Sequence, residues 1–185
     1  MGGARGWVFM IIRSATINDA RALLDIYALY VEQTAITFEY DVPSVEEFSN
    51  RIANTLDRYP YIVAEDETGI LGYAYAGVFK ARAAYNHCVE TSIYVKMNER
   101  GKGVGKQLYA ELEHRLKAQG IINVNACISW IDTPDEYLTQ QSPEFHSRLG
   151  YVKCAHFHKC GYKFGRWYDM IWMEKMIGEH VVNEK

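Results

Sequence analysis

Two features of this chain could do chemistry. One is a glycine-rich turn, Arg100-Gly101-Lys102-Gly103-Val104-Gly105, followed by Lys106; the other is Glu90, the lone acid of the run Val89-Glu90-Thr91-Ser92-Ile93-Tyr94-Val95. The run reads as a strand. After the turn, Val104, Leu108, Leu112 and Leu116 recur every four residues, as on the buried stripe of a helix. Glycines let a backbone come close to a ligand, and the first N–H groups of a helix have no intrahelical partners. The helix dipole adds positive charge there, and Arg100, Lys102 and Lys106 add more. Strand, turn and helix therefore read as an anion site. The other reading is a glycine-rich surface turn with solvated charges.

Spacing excludes two phosphate motifs. A GxxxxGK[S/T] loop ending at Gly105-Lys106 needs glycine at position 100, where Arg100 stands, and a hydroxyl at 107, where Gln107 stands. A GxGxxG fingerprint fails because the glycines alternate at 101, 103 and 105.

Partial burial of Glu90 would raise its pKa and suit it to take a proton from an ammonium; an exposed strand-end carboxylate is the alternative. Lys80 and Arg82 share one loop with Tyr85. They suit a carboxylate or phosphinate on a ligand, Arg82 by bidentate contact, or they are a solvated charged loop. Thr34–Val42 carries Phe38 and Tyr40 and is too long for a tight turn. It is either a loop over a site or a connector packing two aromatics. Cys154, His156, His158 and Cys160 alternate as metal ligands might be arranged. On a strand they would face one way but spread over about 20 Å at ~3.3 Å per residue. Four bonds of about 2.0–2.3 Å cannot span that row, so no metal is expected and the row reads as a semi-polar strand face.

The elements that must position these groups follow from periodicity and punctuation. A strand at Ile11–Ser14 precedes a helix from an Asn18 cap to about Glu32, and Ser44 with Glu47 caps a second helix through Leu56. Strands at 61–65 and 70–79 flank the turn Asp66-Glu67-Thr68-Gly69. The strand 88–95, the central helix ending at Gly120, and a strand at 123–128 follow. Ser142-Pro143 opens a short helix that stops at Gly150, and strands at 151–157 and 167–176 close the chain. Residues 1–9 are expected outside the fold, 10–178 as a single domain, and 179–185 as a tail. With 185 residues, 49% hydrophobic and 23% charged, the chain fits a soluble globular class. A net charge of −3 argues against nucleic acid or an anionic membrane as main partner. Four cysteines without a paired framework fit a reducing cytoplasm.

The order β-α-α-β-β-β-α-β-α-β-β is similar to that of the GNAT N-acetyltransferases, and R-x-x-G-x-G resembles their pyrophosphate-binding turn. Further blocks resemble the phosphinothricin and amino-acid N-acetyltransferases: Asp57-Arg58-Tyr59-Pro60, Tyr73-Ala74-Tyr75-Ala76-Gly77, Phe79 to Tyr85, Val89 to Val95, Phe145 to Tyr151, and Gly161 to Trp167. The resemblance implies an α+β, GNAT-like fold: a central mixed, mostly antiparallel twisted sheet with helices on both faces. It implies acetyl-CoA as co-substrate, no metal, and direct attack within a ternary complex by the α-amine of a small amino acid or analogue of the phosphinothricin or methionine-sulfoximine type. Glu90 would be the base, and His146 would help bind substrate or relay a proton. Cofactor contacts would come from Ile93, Tyr94, Val95, Arg100, Gly101, Lys102, Gly103, Val104, Gly105 and Lys106, with the Ile93 and Val95 backbone pairing to pantetheine as an added strand would. Phe38, Lys80, Arg82 and Tyr85 would hold the acceptor. Tyr137, Tyr151 and Tyr162 are candidates for protonating the thiolate, and the aromatic segment Trp167–Trp172 for a homodimer surface. The departure is Ser129–Gln141, longer than the family's link, with Thr139 where an Asn that helps hold pantetheine usually stands. An N-terminal peptide acetyltransferase and a non-catalytic acyl-CoA sensor are the rival functions.

Overall fold

A computed structural model describes residues 10–182. The expected extension, 1–9, and the last three residues of the expected tail lie outside them. The elements run β1 (Ile11–Ser14), α1 (Ala20–Gln33), α2 (Val45–Leu56), β2 (Tyr61–Asp66), β3 (Gly69–Val78), β4 (Cys88–Val95) and α3 (Val104–Ala118). They continue through β5 (Asn123–Trp130), α4 (Gln141–Arg148), β6 (Val152–Lys163) and β7 (Arg166–Met176). The seven strands form one sheet in the order β1-β2-β3-β4-β5-β7-β6. The β4–β5 contact is parallel and the other neighbours are antiparallel.

The sheet splits at its centre. β4 and β5 pair only from Cys88 and Asn123 to Glu90 and Asn125. Beyond that, β4 stays with β3 as far as Val95, while β5 stays with β7 as far as Trp130. The strands part and leave a cleft. Lys96 N–H donates to Leu71 O at 2.8 Å, which sets the alternation of the β3–β4 ladder. Ile93 and Val95 therefore aim their backbone polar groups away from β3, into the gap.

Each face has its own core. Val104, Leu108, Leu112 and Leu116 of α3 are buried against Ala74, Val89, Val124 and Ile171, at about 1.5–3 kcal/mol per large apolar side chain. On the opposite face α1 and α2 cover Tyr61, Val63 and Tyr73. A third cluster ties Leu138 to Ala35 and Tyr168, so the long 129–141 segment packs on the α1–α2 connector and on β7. Asp135 organises that segment by accepting from the N–H groups of Tyr137 and Leu138, the Tyr168 hydroxyl and Arg166.

Three local expectations are corrected. Asn18 does not cap α1: Thr16 and Asp19 form a capping box around a 3-10 turn at 17–19. Ser142 does not cap α4, which starts at Gln141 after Gln140; Ser142 lies in its first turn. The row 154–160 is not straight, because β6 extends to Lys163 and bulges between Phe157 and Gly161.

Candidate active site

The glycine turn has the geometry that anion binding needs. Gly101 and Gly103 take φ of 77° and 89°, a left-handed backbone that strains any side-chain-bearing residue. Gly103 is the N-cap of α3; no side chain caps that end and its first turn holds no acid. The N–H groups of Val104, Gly105 and Lys106 are left without intrahelical partners. The Val104 side chain is buried and fixes the helix start. A Cβ on Gly105 would stand 3.0 Å from Phe145 Cζ, so bare backbone is what lets α4 seat beside α3. The cations differ in freedom. Lys102 pairs with Glu99 at 3.1 Å. Arg100 lies over the Tyr30 ring at 4.9 Å with its Nε 3.3 Å from that hydroxyl. Lys106 is exposed and in no ion pair among the described residues.

From the turn a cleft of about 510 Å³ runs between β4 and α4, walled by Ile93, Val95, Phe145, Thr139 and Ser142. Thr139, at the departure from the family pattern, thus stands in the cleft wall. Both backbone groups of Val95 meet the Tyr30 hydroxyl, which donates to Val95 O at 2.5 Å and receives its N–H at 3.3 Å. Sequence reasoning missed Tyr30; the available signal was its helical spacing from Tyr27. Tyr94 belongs to this strand only through its backbone. Its ring turns to the other face, 4.9 Å from Tyr27 and 5.0 Å from Tyr30.

Glu90 faces the α1–α2 side, one strand position from the point where β4 leaves β5. Burial raises its pKa, and Lys80 opposes part of that rise. No donor among the described residues hydrogen-bonds its carboxylate. Lys80 sits 5.2 Å from the Phe79 ring and 6.0 Å from Trp172, and Tyr85 packs edge-on against Phe79 at 6.0 Å. Phe38 lies against the bare backbone of Gly161 and beside Tyr168. The structure thus brings Lys80 near Glu90, with Tyr85 joined to Lys80 through Phe79. Arg82 precedes the 3-10 turn 83–85, exposed.

His146 lies inside the fold. It is 3% exposed, in the last turn of α4. Its Nδ1–H donates to Ser142 O at 2.8 Å, and its Nε2 accepts from the Tyr109 hydroxyl at 3.0 Å. Desolvation pushes its pKa down to about 4. Both ring nitrogens are engaged, and the bond to Tyr109 ties α4 to α3. The tyrosines proposed as thiolate acids are elsewhere. Tyr137 stacks on Phe164, Tyr151 is buried beside Tyr109, and Tyr162 packs on Trp167.

An uncapped helix start, a split sheet edge and a desolvated carboxylate thus lie along one strand–turn–helix unit. The model of the acetyltransferase (GNAT) domain matches residues 12–172. The chain belongs to the GNAT acetyltransferase family and is an acetyl-CoA-dependent N-acetyltransferase. It is 36% identical to phosphinothricin N-acetyltransferase of Streptomyces viridochromogenes, over 86% of this chain and 83% of that protein. It is 37% identical to the L-methionine sulfoximine/L-methionine sulfone acetyltransferase of Pseudomonas aeruginosa, over 88% and 92%. A solved phosphinothricin acetyltransferase from Sinorhizobium meliloti, in complex with AcCoA, superposes with a TM-score of 0.84 at 35% identity, over 95% of this chain and 92% of that one.

Proposed function

We propose that this enzyme acetylates the α-amino group of a small amino acid or analogue of the phosphinothricin or methionine-sulfoximine type, by direct attack in a ternary complex. The observation that carries the reading is Glu90: a carboxylate raised by burial, beside Lys80, where β4 and β5 separate. The residues present fit the carrier. A positive, donor-rich turn suits a pyrophosphate, and the apolar walls with the outward backbone of Ile93 suit a pantetheine arm. Bound there, acetyl-CoA supplies a thioester carbonyl. Glu90 accepts a proton from the substrate ammonium and frees the nitrogen lone pair. Lys80 and Arg82 take the carboxylate or phosphinate and orient the amine. Phe38 and Tyr85 shape the apolar part of the acceptor pocket. The relatives named for phosphinothricin and methionine sulfoximine support this acceptor class.

The four free cysteines fit a reducing cytoplasm. No helix among the described residues is long and apolar enough to cross a membrane. Exposed Phe157 and Trp167 on the β6–β7 hairpin suit a homodimer surface.

The test measures thiol release from acetyl-CoA with amino acids, their carboxamides and short peptides. Turnover of free amino acids, with a KM that Arg82→Ala raises far more for the acid than for its amide, supports the reading. Turnover of peptides with none of amino acids would replace it with N-terminal peptide acetylation.

A further inference from the structure

The β6–β7 hairpin carries a cluster that acetyl transfer does not use. Between the pairs Phe157–Met170 and Gly161–Tyr168, β6 places His158, Lys159 and Cys160 opposite the single residue Asp169. Lys159 takes a left-handed φ of 48°, unusual for a side-chain-bearing residue, and its N–H donates to Asp169 Oδ1 at 2.8 Å. This excursion folds the alternating row back on itself. The His158 ring returns over His156 with centroids 4.2 Å apart and planes at 18°. His156 Nε2 lies 2.7 Å from Asp169 Oδ2. One ligand atom from each of His156, His158 and Asp169 lies within 4.8 Å of the others.

We propose that His156, His158 and Asp169 form a surface site for a divalent transition metal of the zinc type, completed by water. The straight-strand argument against a metal holds for four ligands in a row, and the bulge removes its premise for these three. Ligands on a tetrahedral ion stand about 3.3 Å apart when the bonds are about 2.0 Å, so small rotations of the rings bring the set to bonding distance. Two imidazoles with one carboxylate oxygen select zinc, cobalt, nickel or copper over magnesium or calcium. The bond from Lys159 N–H to Oδ1 fixes the carboxylate and leaves Oδ2 for the ion, the outer-shell arrangement that metal-ligating carboxylates use. The His158 side chain is open to solvent, which gives an entry path. The thiols of Cys154 and Cys160 turn toward the carbonyls of Trp172 and Phe157 and are left out of the set.

The site is separate from the chemistry. His156 pairs with Ile171, whose side chain lies in the α3 core, so the cluster is on the sheet face opposite Glu90. Its effect is to pin the hairpin. The tip of that hairpin reaches α1, where the buried Lys163 Nζ donates to the carbonyls of Val31, Thr34 and Thr37 at 2.7, 2.9 and 2.8 Å.

The experiment uses untagged, full-length protein stripped of metal by chelation. It is titrated with cobalt by visible absorption and with zinc by calorimetry, and melted with and without zinc. The expected result is one ion per chain and a raised Tm. His158→Ala, an exposed position, should weaken binding at least about 10-fold, the scale on which even outer-shell partners act, with acetyl transfer unchanged. Asp169→Asn should weaken it similarly, while the double variant Cys154→Ser, Cys160→Ser should keep it. Absence of binding overturns the proposal. So does binding unchanged by His158→Ala, which would put the ion at His87, His114 or His180, and so does loss in the cysteine variant.

Discussion

In the proposed site, the α3 end offers a ligand main-chain groups, and the Glu90 end offers side chains from several separate segments. The first end is fixed by φ at Gly101 and Gly103 and by the missing partners of three helical N–H groups. The second needs β4 for Glu90, the 80–85 loop for Lys80 and Tyr85, and the α1–α2 connector for Phe38, resting on β6. The difference teaches that the carrier end is a local device, written in six consecutive residues. The acceptor end exists only once the sheet, the connector and the hairpin have come together. Lesions at the two ends should therefore separate: carrier affinity at one, turnover and acceptor discrimination at the other.

The largest expected effect is Glu90→Gln. A positioned general base contributes about 10²–10⁴-fold, so kcat at neutral pH should fall in that range with CoA affinity retained. The deficit should narrow as pH approaches the acceptor amine's own pKa, because solvent then supplies free amine. A pH–rate profile parallel to wild type would remove Glu90 as base, and a loss of CoA affinity would break the separation of the two ends.

Next is Gly103→Asp at the carrier end. It adds a left-handed strain and a negative charge where a pyrophosphate meets the α3 N-terminus. Two unit charges at 4 Å near a protein surface interact by about 4 kcal/mol; solvent exposure trims this, so CoA binding should weaken about 100-fold. Calorimetry showing unchanged affinity would mean that the turn is a surface feature and not the anion site.

This contrast also explains what could be read from the sequence. The order of elements, the β4 boundaries and the glycine turn before α3 follow from local patterns: four-residue apolar recurrence, the Gly69 and Gly120 punctuation, and the glycines after a strand. Tyr30 escaped because its role depends on β4 ending beside α1. The burial of His146 is not legible because it depends on Tyr109 and Tyr151, distant in sequence, packing around a short helix. The approach of Asp169 to His156 and His158 is not legible because a bulge has no signature in alternation; it shows only in the register of β6 against β7.

His146 belongs to neither end and gives a third lesion. In the unfolded chain its pKa is near 6.5, and in the fold it is held down at about 4. As pH falls through that interval the unfolded chain takes a proton that the folded chain refuses, so stability is lost, by up to about 3 kcal/mol. Urea unfolding between pH 7 and pH 4 should show less pH dependence in His146→Gln than in wild type. An identical dependence would place the titration elsewhere, and a large kcat loss in His146→Gln at full stability would return the residue to the reaction.

The smallest effect compares a capped helix start with an uncapped one. α2 seals its own N-terminus: Ser44 Oγ accepts from Glu47 N–H at 3.1 Å, and Glu46 and Glu47 occupy the first turn. α3 has no cap side chain and no first-turn acid. Ser44→Ala should therefore cost about 1 kcal/mol of stability, the usual worth of an N-cap, and leave CoA affinity and kcat untouched. Gly103→Ala is the matched change at α3. It cannot remove a cap that is absent, but it forces a Cβ into left-handed backbone with no atom within 4 Å to clash, so its stability cost is conformational and similar in size, about 1 kcal/mol. Unlike Ser44→Ala, it should also reduce CoA affinity, because relief of the strain turns the N–H groups of Val104 and Gly105 away from the cleft. Equal CoA affinity in the two variants would show that the open terminus is incidental to binding. Loss only at Gly103 would show that the left-handed backbone before α3 is what aims its N–H groups at the ligand.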